Sequence, residues 1–167
     1  MYTYKIFDSV TEECENIFKD KNNIQYSNFF QNKEYIKQIT QSRDSKIKII
    51  VIYDNKTVLA IFPFEIKKIY FIKVLQWIGS EYSDYSNPIL SKNYVNSLNK
   101  KYFMEVWSLI LNEIKNELDL IFFNNQLSHI NGLANPFVEF FNTSRFSKIY
   151  NINLEKNFEE YKENIKN

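Results

Sequence analysis

A mixed α/β domain, with a twisted mixed sheet carrying helices on both faces, is the fold class that the order of elements in this 167-residue chain predicts. Three observations carry the expectation. A short alternating stretch at the N-terminus leads into two amphipathic helical segments, three strand-like runs succeed one another between residues 46 and 78, and a strongly periodic helix from Phe103 to Leu118 precedes a further apolar run. The predicted order is β-α-α-β-β-β-α-β-α-β.

Tyr2, Tyr4 and Ile6 alternate with Thr3 and Lys5, which predicts a first strand ending near Asp8. Ser9 with Glu12 reads as a capping box, and Val10, Cys14, Ile17 and Phe18 then share one helical face. Cys14 is thereby assigned to the core and not to nucleophilic chemistry. Lys19 to Gln25 is a polar connector, and Phe29, Phe30, Ile36 and Ile39 predict a second helix over 28–41. Lys46 to Tyr53 turns apolar throughout, as a strand covered on both faces does. Asp54 and Asn55 supply a turn, and Thr57 to Ile66 returns as a hairpin partner. Pro63 has no N–H to give, so it marks a bulge or the place where its strand leaves a neighbour. A turn at Lys67 and Lys68 leads to a third strand, Ile69 to Ile78.

Phe103, Val106, Trp107, Ile110, Leu111, Ile114 and Leu118 recur at three and four, which predicts a helix over 97–117. The run Leu120 to Phe123 reads as a buried central strand. Asn135 as cap and Pro136 in the first turn start a short helix that lasts through about Phe141. Lys148 to Leu154 reads as a last strand, and Asn157 to Lys166 as a charged helix whose stripe of Phe158, Tyr161 and Ile165 predicts weak attachment to the body. The chain divides into a body, 1–155, and this terminal helix, 156–167.

Composition excludes several classes of function. Lys plus Arg number 21 against 20 Asp plus Glu, with the lysines scattered, so no basic stripe marks a nucleic-acid face. One cysteine and one histidine exclude an internal disulfide and a Cys/His zinc cluster. There is no apolar leader and no run of the ~18 residues a membrane helix needs, so no membrane insertion and a cytoplasmic location are expected. Two glycines, Gly79 and Gly132, are too few for the phosphate-cradling and nucleophile-elbow motifs. His129, without nearby acid partners, reads as a surface or capping residue and not as a base.

The stretch from Leu75 to Leu90, LQWIGSEYSDYSNPIL, is where chemistry concentrates. A strand ends at Gly79 and delivers hydroxyls, carboxylates and an amide to one scaffold edge, a common way to build a site. Tyr82, Ser83, Asp84, Tyr85 and Asn87 are the candidate substrate-binding residues: Asp84 can pair with an amine, the hydroxyls and amide can hydrogen-bond a polyhydroxylated acceptor, and tyrosine rings can stack on a sugar face. The competing reading is a turn-rich connector in which Asp84 caps its own backbone and Tyr85 packs inward.

The element order is similar to that of the GNAT acyltransferase fold. FFQNKEYI (Phe29 to Ile36), AIFPFEI (Ala60 to Ile66), LQWIGSEYSDYSNPIL and the closing YNINLEKNFEEYKENIKN resemble the N-terminal half of FemAB-like, cellulose-biosynthesis-type GNAT acetyltransferases. The shared signature is a strand ending in Gly, then an Asp-Tyr pair and a Pro, matched by Gly79, Asp84, Tyr85 and Pro88. The resemblance covers most of the chain. It implies an enzyme of two GNAT-like halves, with acyl-CoA bound and transfer performed by the second half, and a small-molecule amine as acceptor, on a sugar or cell-surface precursor. Gln76, Gly79 and Glu81 only half fit a GNAT donor loop, and Glu81 and Asp84 would repel a pyrophosphate. The chain is accordingly expected to bind no cofactor itself, to be the non-catalytic, substrate-side half and to need a second half or partner chain. A stand-alone GNAT-like binding or scaffold module is the other reading.

Overall fold

The computed structural model describes residues 2–20, 24, 29–42, 44–94 and 99–144. The expected strand 148–154 and helix 157–166, and with them the boundary at 155, lie outside these residues. The body is mixed α/β, as its periodicities predict.

β1 (Tyr2–Phe7), β2 (Lys46–Asp54), β3 (Thr57–Ile69) and β4 (Ile72–Trp77) form an antiparallel series, and β6 (Leu120–Ile121) pairs with β4 in parallel. β5 (Ile89–Leu90) also lies along β3. Of the helices, α1 (Glu12–Lys19) and α2 (Lys33–Gln41) precede β2, while α3 (Lys100–Ile114) crosses from β5 to β6. A small hairpin, β7 (His129–Ile130) and β8 (Leu133–Ala134), and the short α4 (Pro136–Glu139) follow.

Alternation along β2 and β3 sends side chains to two cores. Ile50, Ile52, Phe62, Phe64, Leu75 and Trp77 pack with Phe103, Trp107 and Ile110 of α3 and with Phe137. Ile47, Ile49, Val51 and Ile61 pack with Cys14, Phe18 and Ile36 of α1 and α2. The sheet therefore carries helices on both faces. The first core is aromatic: Phe137 lies edge-on to Phe62, Trp107 and Phe123, and Phe64 stacks on Phe123 at 4.7 Å and 5°. Such pairs add about 0.5–1.5 kcal/mol each beyond area burial. Cys14 is buried, and desolvation by the apolar surroundings, ahead of the nearby Glu15 and Glu13, pushes its thiol up to about 12. It remains an uncharged core side chain.

Several expectations need correcting. Thr11, not Ser9, caps α1, its hydroxyl accepting from the Cys14 N–H at 3.2 Å. The second helix is broken into a 3-10 turn, Phe29–Gln31, and α2, because Asn32 caps at Glu34 N–H and restarts it. β3 runs on through Lys67 and Lys68, and the turn falls at Tyr70 and Phe71, with Tyr70 at φ 54. The run Leu120 to Phe123 is not a central strand: β6 is two residues long and lies beyond β4 at the end of the strand order. Leu120 and Phe122 are 50% and 55% exposed, while Ile121 and Phe123 pack against the aromatic core. α4 stops at Glu139. β7 and β8 are an addition, closed by Asn131 and Gly132 at φ 50 and 81, the left-handed pair a two-residue hairpin requires.

Pro63 pairs with Ile49 without a bulge; the register of β2 and β3 shifts instead at Ile52/Tyr53. The Pro63 carbonyl accepts from the Ile78 N–H at 2.9 Å, so its nitrogen faces the same outer edge, away from β2. That edge is where β4 stops and β5 begins. No ladder bond with β2 is lost.

Candidate functional site

β4 and β5 are one line along β3, interrupted. Phe64 faces Trp77 in β4, so a continuing strand would set residue 80 against Ile61; Ile89 stands there, an offset of nine residues. The candidate loop is thus an excursion that leaves the sheet after Ile78 and rejoins it at Ile89. Gly79 makes the exit at φ 69, a conformation that a residue with a Cβ rarely adopts.

Beneath the exit lies a fully buried carboxylate, Glu65 of β3. It accepts from Ser45 Oγ at 2.7 Å, Gln76 Nε2 at 3.1 Å and the Gly79 N–H at 3.2 Å. A buried charge needs donors of this kind, and here they fix the first residue of the loop.

The return path is stitched to the segment after β6. Parallel pairing ends with the Phe122 N–H on the Leu75 carbonyl, 2.9 Å. Beyond it, Ser86 N–H donates to the Asn125 carbonyl at 2.9 Å and Asn125 Nδ2 to the Ser83 carbonyl at 3.1 Å. Asn87 Oδ1 accepts from Leu127 N–H at 2.7 Å, and Asn135 Nδ2 reaches it at 3.5 Å while donating to the Leu127 carbonyl at 2.9 Å. Gln31, from the 3-10 turn, donates Nε2 to the carbonyls of Asn87 and Pro88 at 3.2 and 2.8 Å. Three distant segments thereby hold one loop.

The five candidate residues separate into two groups. Ser83 and Asn87 are buried, the Ser83 hydroxyl donating to the Tyr85 carbonyl. Tyr82 is 65% exposed, Asp84 is exposed and Tyr85 is half-buried. The Asp84 carboxylate takes no hydrogen bond among the described residues, so it caps no turn there and is open to a partner. Glu81 is paired with Lys67. Among the described residues Ser86 Oγ, Asn87 Nδ2, Asn124 Oδ1 and Trp77 Nε1 are buried without a hydrogen-bond partner, each a cost of about 1–3 kcal/mol.

Reading the sequence missed Glu65, Gln31 and Asn125 as supports. A charge inside the apolar run AIFPFEI was the available signal for Glu65; the other two make contacts across long sequence separations, where periodicity is silent. Asn135 was expected only as a cap, and it does accept from Phe137 N–H at 3.0 Å, but it also holds the loop. His129 is exposed, with Nδ1 3.2 Å from Ser128 Oγ. No group of His, Cys, Asp and Glu among the described residues could hold a metal, and no helix there is long and apolar enough to cross a membrane.

No protein-family model, curated protein or solved structure matches the chain, so the site rests on its own geometry.

Proposed function

We propose that this chain is the substrate-side, non-catalytic half of a GNAT-like N-acyltransferase of the FemAB-like kind, with acyl-CoA handled by a second GNAT-like half or a partner chain. The observation that carries the reading is the excursion after β4. In an open α/β sheet, ligands bind outside the carboxyl ends of parallel strands. Here the ends of β4 and β6 are bridged by the loop itself, through Ser83, Ser86 and Asn87 on one side and Asn125 and Leu127 on the other. These bonds support the reading that no pyrophosphate is held directly after the fourth strand. With Glu81 paired to Lys67, the Asp84 charge is the remaining repulsion expected against a pyrophosphate.

The antiparallel series β1 to β4, the α3 crossover and the parallel β6 support a GNAT-like topology. Tyr82, Asp84 and Tyr85 form the outward rim that would meet an amine-bearing acceptor, and Ser83 and Asn87 hold that rim in shape. The rigidity given by Gln31, Asn125 and Asn135 favours, as a second reading, a binding or scaffold module without catalysis.

The test is a pair of titrations followed by amide chemical shifts. Acetyl-CoA is expected to give no saturable change at micromolar ligand, and glucosamine to shift the amides of Tyr82 to Tyr85. Saturable acetyl-CoA binding would overturn the substrate-side assignment. Silence towards both ligands favours the scaffold reading.

A further inference from the structure

The β3–β4 hairpin ends in a feature that the fold does not use. Tyr70 and Phe71 at the turn are 91% and 83% exposed, and the cross-strand pair Ile69 and Ile72 is also exposed. Tyr70 holds φ 54, where a bulky side chain is uncommon and Gly or Asn would cost less. One step back, Lys68 stands directly opposite Lys73, a like-charge pairing that weakens a hairpin. Neither ammonium has an ion-pair partner among the described residues. Glu81 pairs with Lys67, and Asp119 accepts from the backbone N–H of Lys73 at 2.8 Å.

We propose that this tip, Tyr70 and Phe71 backed by Lys68 and Lys73, docks the protein onto an anionic lipid surface. Aromatic side chains favour the bilayer interface, and lysines two residues behind them would lie at the level of anionic headgroups, which would relieve the mutual repulsion of the two ammonium groups. Two exposed isoleucines, with no π-face for a base to stack on, fit acyl chains better than single-stranded nucleic acid. A surface contact needs no spanning helix. The tip lies at the opposite end of β4 from Gly79, and the inference is independent of the acyl-transfer reading.

Flotation of the full chain with vesicles tests it. The protein is expected to float with vesicles of phosphatidylcholine and phosphatidylglycerol in equal parts, not with phosphatidylcholine alone, and to be released by salt. Lys68→Glu with Lys73→Glu should weaken partitioning by about tenfold or more, since each lysine near such a surface is worth about fivefold. Tyr70→Asn with Phe71→Ser should abolish it while melting no lower than the wild type, because Asn suits the left-handed turn. Failure to float with anionic vesicles, equal flotation with neutral ones, or either double variant floating normally overturns the proposal. So does a finding that the same four residues instead drive self-association or binding of an oligothymidylate.

Discussion

The phenol oxygen of Tyr35 lies 2.7 Å from the point where a Cβ on Gly79 would stand. Helix α2 therefore presses on the first residue of the loop from the side opposite α3, at a backbone conformation already hostile to side chains. Gly79→Ala is expected to lose about 2–4 kcal/mol, the sum of a left-handed alanine and an overpacked contact. Adding Tyr35→Phe removes the closest atom and leaves a ring carbon at 3.3 Å, so it should recover the packing part and not the backbone part. Urea unfolding of the two single variants and the double gives the coupling directly; strict additivity would show that the contact carries no energy.

Glu65 is expected to be structural. Glu65→Gln places an amide NH2 among groups that already donate, Ser45 Oγ, Gln76 Nε2 and Gly79 N–H, and should cost about 1–3 kcal/mol in urea unfolding. Amide exchange at Gly79 and Ser80 should quicken in the variant before the rest of the sheet responds.

Lys48 is buried on β2, its ammonium 2.8 Å from Asp8 and 2.6 Å from Glu117. Desolvation lowers its pKa, but the hydrogen bonds it donates to both carboxylates, with their charge attraction, outweigh this and leave it above the ordinary lysine value. A raised pKa stabilises the fold fully below the unfolded value of about 10.4 and ceases to do so as pH rises through the folded one. Melting measured from pH 9 to pH 12 (about the range of lysine titration) should therefore fall more steeply for the wild type than for Lys48→Met. At neutral pH that variant should lie within about 1 kcal/mol of wild type, because Asp8 and Glu117 can hydrate once released. Asp8→Asn with Glu117→Gln, which strands the buried ammonium, should cost more, about 2–3 kcal/mol.

Asp84 and Asn87 should part company. Asp84→Asn and Tyr85→Phe alter an exposed carboxylate and a phenol on a half-buried ring, so melting should move by no more than about 0.5 kcal/mol, while the proposed function predicts loss of acyl transfer when a second half is supplied. Asn87→Ala removes the acceptor for Leu127 N–H and should lose about 1–3 kcal/mol. Early melting with full turnover for Asp84→Asn and Tyr85→Phe would strike both from the site.

Where the physics is local, the sequence was readable. Cys14, Phe18 and Ile36 reach the core because helical spacing puts them on a buried face, and Asn135 with Pro136 starts α4 as their cap chemistry requires. Asn131 and Gly132 carried a hairpin signal as plain as any, overlooked because the flanking strands are two residues long. Leu120 to Phe123 misled because an apolar run looks the same at the end of a sheet as at its centre, and only the missing outer neighbour tells them apart. Of the site, the polar loop was visible as a composition, yet which of its residues face inward depends on Gln31, Asn125 and Asn135, fixed by tertiary contacts alone.

The nine-residue offset between β4 and β5 also resets the phase of the chain. In β4 the odd-numbered residues, Leu75 and Trp77, face the α3 core; after the excursion the even-numbered Leu90 does so and Ile89 faces α1 and α2. Any excursion rejoining β3 at Ile61 would satisfy the same ladder whatever its length, provided the two residues that return keep the order inward to one core, then to the other. The sheet thus places no limit of its own on how many residues lie between Ile78 and Ile89. Among the described residues the length is constrained instead by the partners that hold the loop, Asn125, Leu127, Asn135 and Gln31. Substitutions confined to the exposed Tyr82 and Asp84 would leave Gly79, Ser83, Asn87 and their contacts in place, so the outward rim can be rewritten without refolding the domain.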